Sequence, residues 1–115
     1  MRTALLLGLT ALVAAAPAAA SRVHLAVLPA TVSPGAAIRV VGNAGTCHVG
    51  DQVTAISSAF PGHQFGKGAL YGRVVAGGGF TIHGHVRSGL HAGRYVVTAR
   101  CGGGNLGVAA HVRVR

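Results

Sequence analysis

A chain of 115 residues has room for one domain, and its charge is one-sided, because ten Lys and Arg stand against a single acidic residue for a net charge of +9. With Asp51 as the only carboxylate, the chain lacks the pair of acids that glycoside hydrolysis uses, and we do not expect an enzyme. The positive charge favours anionic partners, and nucleic acid, acidic cell-wall polymers and acidic polysaccharides all fit it equally well. The alternative interpretation is that the charge reflects coding bias rather than function.

Residues 1–20 have the three parts of a secretory signal peptide. Arg2 supplies a positive charge, Ala4–Ala16 an apolar stretch, and Ala18–Ala20 the small residues of a cleavage site. The apolar stretch is 13 residues long, which is shorter than the roughly 20 residues that a membrane-spanning helix needs. We therefore expect a secreted, extracellular protein without a membrane anchor, whose single mature domain is residues 21–115.

Short strands separated by Gly and Pro turns follow along the mature domain. Helix is disfavoured because the chain has 19 glycines and its bulky residues are mostly the β-branched Val. The pattern predicts an all-β fold, an immunoglobulin-like β-sandwich of about seven strands. Alternation with a period of two indicates strands or short pieces of strand at 22–28, 31–32, 37–41, 53–60, 70–75, 80–86, 93–101 and 108–115.

The clearest of these strands is GRYVVTARC, residues 93–101. Tyr95 and Cys101 fall on one face of it, and Arg94 and Arg100 on the other. Cys47 is the one possible partner of Cys101, and export makes a disulfide chemically reasonable, with two buried free thiols as the alternative. Because Cys47 is out of step with the alternation of strand 37–41, a bulge or bend must redirect it.

Several short motifs occur in a fixed order along residues 28–103. They are Leu28-Pro29, Val32–Gly35, a Gly-x-x-Gly-x-Cys segment that ends at Cys47, Ser58–Phe60, Ala92–Tyr95 and Cys101–Gly103. In this order and spacing the chain resembles the small secreted immunoglobulin-like proteins of actinobacteria. The resemblance implies the fold and an extracellular location; the Trp of antibody domains is absent here.

A more distant resemblance concerns the segment Val32–Gly45 together with the size and the predicted export. In these features the chain is similar to the seven-stranded secreted apoproteins that hold enediyne chromophores. Those apoproteins are acidic and have two disulfides, whereas this chain is basic and can form one. The resemblance implies an alternative function, that of a small-molecule carrier.

Two histidines give a second alternative, a His-based metal-binding protein. His83 and His85 lie two apart on a predicted strand, so both rings leave the same face about 6.6–6.8 Å apart at the Cα level. This spacing suits two ligands of Zn or Cu. Solvent-facing histidines beside Arg87 are the simpler interpretation, and we expect no cofactor. The further ligands would have to come from His24, His48, His63, His91, His111 or Asp51.

The remaining candidate residues for binding are His63, Phe65 and Lys67, an aromatic and basic cluster in the irregular loop 61–68, and the basic pair Arg113 and Arg115. Stacking of nucleic-acid bases needs aromatic residues interleaved with a basic patch. Because Phe80 and Tyr95 are assigned to the core, we do not expect nucleic acid as a partner. The predicted function is a secreted, non-enzymatic module that binds an extracellular partner or an anionic surface polymer.

Overall fold

The computed structural model describes residues 22–64 and 66–115, and the predicted signal peptide lies outside the described residues. No helix in that part of the chain is long and apolar enough to cross a membrane. A 3-10 turn, Ala76–Gly78, precedes the sixth strand. The eight strands of residues 22–64 and 66–115 are β1 (His24–Leu28), β2 (Thr31–Val32), β3 (Ala37–Asn43), β4 (Gln52–Ser57), β5 (Gly68–Arg73), β6 (Gly79–His85), β7 (Gly93–Cys101) and β8 (Gly104–Val114).

The strands form two sheets around one core. A three-stranded sheet has the order β1-β3-β6, and a five-stranded sheet has the order β2-β8-β7-β4-β5. The short β2 pairs with β8 in parallel, while the other pairs are antiparallel. Val40 and Ile82 of the first sheet share a hydrophobic cluster with Val53 and Val97 of the second. Because β5 contacts β6 and β1 contacts β8, the sheets also meet along their edges, as in a partly closed barrel.

Strand β7 has the predicted bounds and the predicted alternation. Val97 and Ala99 are fully buried and Cys101 is 6% exposed, whereas Arg94 on the opposite side is exposed. The strand lies between β8 and β4, so its inward side chains reach the middle of the core. The outward face of β7 is therefore part of the molecular surface.

The disulfide between Cys47 and Cys101 is present, with their Cα atoms 6.6 Å apart, as predicted. A bend after β3 directs Cys47 toward β7. The Asn43 side-chain Oδ1 accepts a hydrogen bond from the Gly45 N–H at 2.8 Å, and the Cys47 N–H donates to the Ala44 carbonyl at 3.3 Å. The side chain of Asn43 thus redirects the chain just before the cysteine.

Most strand boundaries differ from the sequence prediction by a few residues, and two of the differences have a clear local cause. β4 ends at Ser57 rather than at Phe60, because the Ser57 hydroxyl accepts the Ala59 N–H at 3.1 Å and its carbonyl accepts the Phe60 N–H at 3.1 Å. β8 begins at Gly104 because Cys101 pairs with Gly104 in a hairpin, where the sequence indicated a flexible corner. The prediction of an all-β fold with one disulfide is confirmed, with eight strands in the described part of the chain rather than about seven.

Candidate nucleic-acid interface

The outward side of the five-stranded sheet carries a set of arginines from three strands. In β7 the side chains of Val97 and Ala99 enter the core, so Arg94 and Arg100 project the opposite way. Pairing with β4 and β8 brings the outward residues of β5 and β8 onto the same surface. We term this surface the arginine face; it consists of Arg73, Arg94, Arg100 and Arg113 together with Tyr71 and His111.

Two of these arginines stand directly opposite each other. Arg94 on β7 pairs with Arg113 on β8, and both side chains are exposed. Like charges at such a position, with Cβ atoms about 4.5–5.5 Å apart, destabilise a sheet. The chain's one acid, Asp51, lies in the loop between β3 and β4, where its Oδ2 accepts the His48 N–H at 3.3 Å. The one acidic side chain of the chain is thus bonded within its own loop, and an anion that neutralises the pair would come from outside the chain.

The other end of the arginine face combines an aromatic ring with a guanidinium group. Thr54 on β4 pairs with Tyr71 on one side and with Arg100 on the other, so the two flank it about 10 Å apart. Tyr71 is 47% exposed. The Arg100 Nη2 donates to the Gly103 carbonyl at 2.8 Å, and the Arg73 Nη1 donates to the Gly50 carbonyl at 2.8 Å.

Tyr71 is an exposed residue of the arginine face that was not among the residues predicted from the sequence. A usable signal was present, because alternation along β5 places Ala69, Tyr71 and Arg73 on one side and Leu70 on the other. Leu70 is 8% exposed and belongs to the core. An aromatic residue beside a basic patch therefore lies on this strand, whereas the sequence indicated such a cluster only in the loop 61–68.

The loop between β4 and β5 brings two of the predicted binding residues together. His63 and Lys67 line one cavity of about 210 Å³, whose wall also includes Phe60 and Arg87. Phe65, the third member of the predicted cluster, lies outside the described residues. We term this cavity the loop pocket.

The predicted pair Arg113 and Arg115 lies on and just beyond β8. Arg113 belongs to the arginine face through its pairing with Arg94. Arg115 is exposed after the end of the strand, where its backbone N–H donates to the Val32 carbonyl at 3.0 Å. The short β2 thus holds the backbone that carries both side chains.

His83 and His85 occupy the outward side of the other sheet and are both exposed. His83 pairs with Arg39 and lines a cavity of about 280 Å³ with Arg39 and Leu28. A neighbouring cation disfavours binding of a metal cation. Among the residues that the structure describes, the one grouping of three or more possible metal ligands is Cys47, Asp51 and Cys101, and both sulfurs are used in the disulfide.

Comparison with known proteins gives a likeness of fold. No family model and no curated protein matches the chain. Among solved structures, the chain is similar to the alkylpurine DNA glycosylase AlkC of Pseudomonas fluorescens, bound to DNA containing an abasic site analog, with a TM-score of 0.53 and 23% identity. The likeness covers 80% of this chain and 29% of that protein, so the chain corresponds to less than a third of its length.

This likeness contradicts the predicted function and the predicted partners. A protein with part of this fold is bound to DNA, so the expectation that nucleic acid is not a partner is wrong. The predicted secreted module for an extracellular partner or surface polymer is set aside for the same reason.

The two alternative functions, a small-molecule carrier and a His-based metal-binding protein, are set aside as well. A carrier needs a large apolar cleft, whereas the cavities described here are about 280 and 210 Å³, below the roughly 300–1,000 Å³ typical of ligand pockets. For the metal-binding protein, His83 and His85 have Arg39 beside them rather than a further ligand among the described residues.

Proposed function

We propose that the domain binds double-stranded DNA through the arginine face, by contacts with the phosphate backbone. The observation that carries this proposal is the Arg94–Arg113 pair, in which two exposed cations stand opposite each other in a chain with a single acid. A polyanion converts that unfavourable pair into two favourable contacts. The likeness to AlkC supports the choice of DNA as the polyanion, since the AlkC structure is that of a complex with DNA.

The dimensions of the face agree with a duplex. Arg94 and Arg100 are six residues apart on β7, so their Cα atoms lie about 20 Å apart along the strand. Double-stranded DNA carries one charge per roughly 1.7 Å of its axis. A duplex lying along β7 would present about a dozen phosphates over that distance, enough to contact both ends of the face.

The arrangement favours binding without sequence specificity. Arg73 and Arg100 each donate to a backbone carbonyl at the rim of the sheet, which fixes the direction of their guanidinium groups. A sheet with its arginines spread over about 20 Å contacts the outside of a duplex, and phosphate contacts carry no sequence information directly. The domain would therefore position DNA rather than distinguish its bases.

In this proposal the chain is a binding module and not a catalyst. An acid–base mechanism needs a positioned carboxylate or histidine beside the reacting group. Asp51 is the one carboxylate, and it caps a turn by accepting the His48 N–H. Because the chain corresponds to 29% of AlkC, the glycosylase activity of AlkC is not transferred to it.

The finer assignment of the fold as immunoglobulin-like stays a prediction, as do the resemblance to actinobacterial proteins and the export through residues 1–20. Two largely antiparallel sheets around one core, joined by the disulfide, support the immunoglobulin-like assignment. The eighth strand and the contacts between sheet edges depart from the seven-stranded sandwich.

The test is a comparison of two double variants that change the net charge equally. We expect Arg94→Ala with Arg113→Ala to weaken binding of a fluorescent duplex about tenfold to a hundredfold, because two charge-assisted contacts are lost. The matched control is Arg22→Ala with Arg39→Ala. Both of these residues are exposed, and Arg39 projects from the three-stranded sheet.

Fluorescence anisotropy at fixed salt measures both affinities, and thermal melts verify that both variants fold. Equal weakening by the two double variants would mean that net charge alone attracts DNA and would reject the arginine face as the site. Absence of duplex binding by the unmodified protein at low salt would reject the function.

A further inference from the structure

We propose that the loop pocket binds a phosphate monoester, either a free small molecule or the phosphorylated end of a DNA strand. Two cationic side chains and one imidazole, from two segments of the chain, line this one cavity: Lys67 and His63 from the loop between β4 and β5, and Arg87 from the segment after β6. The proposal does not depend on the arginine face, which is a separate surface made of outward strand residues.

Arg87 is held in place by the loop itself. Its Nε and Nη2 both donate to the Ser58 carbonyl, at 3.1 and 2.9 Å, and its backbone N–H donates to the Ala59 carbonyl at 2.8 Å. A guanidinium group has five N–H donors, so these two bonds leave others for a ligand. The positive charge of Arg87 is thus fixed at the cavity wall before a ligand arrives, which lowers the entropic cost of binding.

The loop that carries His63 and Lys67 is also closed by its own backbone. The Lys67 N–H donates to the Gln64 carbonyl at 2.9 Å, and the Ala69 N–H donates to the Pro61 carbonyl at 3.1 Å. Gly62 and Gly66 have φ values of 97° and 75°, which residues with a side chain rarely adopt. These turns place His63 and Lys67 on the same cavity.

The chemistry of the wall selects a phosphate group. An ammonium, a guanidinium and an imidazole supply donors of the kind that phosphate oxygens accept, and a phosphate monoester carries a charge of about −1.5 to −2 at pH 7. Asp51, the only acid of the chain, is not among the lining residues. A cavity of about 210 Å³ is small for a drug-sized ligand, so we expect the phosphate group to enter while the rest of the molecule stays outside.

The position of the pocket also allows a strand end to reach it. Ile56 near the end of β4 pairs with Thr98 on β7, so the loop after β4 lies at the end of the sheet where β7 begins. Arg94, opposite Arg113, is near the beginning of β7. The arginine pair and the loop pocket thus lie toward the same end of the sheet, so a DNA strand that ends at the pair would have its terminus on the side of the loop pocket.

The experiment is a titration of the full chain with inorganic phosphate at constant ionic strength, followed by the amide resonances of Gly62, Gly66 and Gly68. We expect saturable shifts, an affinity about tenfold lower for Lys67→Ala because one charge-assisted contact is lost, and an unchanged affinity for the control Arg39→Ala. Arg87→Lys keeps the charge without the paired bonds to Ser58, so it should bind more weakly while remaining folded.

Two further ligands distinguish the source of the phosphate. If the ligand is a strand end, a 5′-phosphorylated oligonucleotide should displace inorganic phosphate better than its 5′-hydroxyl counterpart. If the ligand is a small molecule, a nucleoside monophosphate should displace inorganic phosphate, and the two oligonucleotides should behave alike. Shifts that do not saturate, or that persist unchanged in Lys67→Ala, would overturn the proposal. Neither result would alter duplex binding by the arginine face, so the two proposals fail independently.

Discussion

Gly68, the first residue of β5, lines the loop pocket and has no room for a side chain. A Cβ atom at this position would overlap the carbonyl group of Phe60, whose side chain is fully buried. The sequence shows Gly68 only as one of several glycines in an irregular loop. Its steric role depends on a backbone contact made by the folded loop, which no local pattern of residues reveals.

We expect Gly68→Ala to lower the free energy of unfolding by about 1–3 kcal/mol, because the new methyl group must displace buried backbone. Chemical denaturation measures the loss. Gly89→Ala is the matched control, since a Cβ there meets nothing within 4 Å, and we expect its effect to be about 0.5 kcal/mol or less. Equal stabilities of the two variants would show that the Phe60 carbonyl moves aside without cost.

At the scale of the strands, the sequence predicted elements with strict alternation and failed where pairing decided the boundary. β7 was predicted with its correct bounds because its polar and apolar residues alternate along its length. β3 continues through Gly42 and Asn43, which look like a break, because Asn43 pairs with His24 on one side and with Gly79 on the other. Such neighbours are distant in sequence, so the pattern within one segment cannot include them.

The disulfide joins the end of β7 to the loop between β3 and β4. It closes a loop with a sequence separation of 54, for which the chain-entropy estimate is about 4 kcal/mol. We expect the variant Cys47→Ala with Cys101→Ala to lose stability of that order in chemical denaturation. Alanine is chosen because Cys101 is 6% exposed and a buried serine hydroxyl would add a separate cost.

Reduction of the unmodified protein should reproduce the loss, while the reductant should leave the double variant unchanged. Duplex binding by the Arg94–Arg113 pair should survive wherever the variant is folded, since Arg94 and Cys101 lie near opposite ends of β7. A double variant as stable as the parent would show that the closed loop contributes nothing to the fold.

At the scale of the whole molecule, the amount of charge could be read from the sequence, whereas its arrangement could not. Alternation along β7 correctly assigned Arg94 and Arg100 to the face opposite the core. Whether these residues meet depends on the sheet order, in which β8, β7, β4 and β5 are successive neighbours. That order follows from long-range pairing, so a spread of arginines along the chain becomes one face only in the folded sheet.

The arrangement of the charge predicts how DNA binding responds to salt. Contacts by the four arginines of the face would release the counterions of about four phosphates, so the logarithm of the binding constant should fall with the logarithm of the salt concentration at a slope of about −3 to −4. Arg94→Ala removes one contact and should make the slope shallower by about 1. Arg39→Ala, on the other sheet, should leave it unchanged.

Anisotropy titrations with a duplex at several salt concentrations give the slope for each variant. A slope near zero would indicate that binding does not rest on phosphate contacts. A slope that changes as much for Arg39→Ala as for Arg94→Ala would place the contacts all over the molecule. A shallower slope for Arg94→Ala and for Arg113→Ala, with no change for Arg39→Ala, would place the contacts on the arginine face, where β7 and β8 hold like charges side by side.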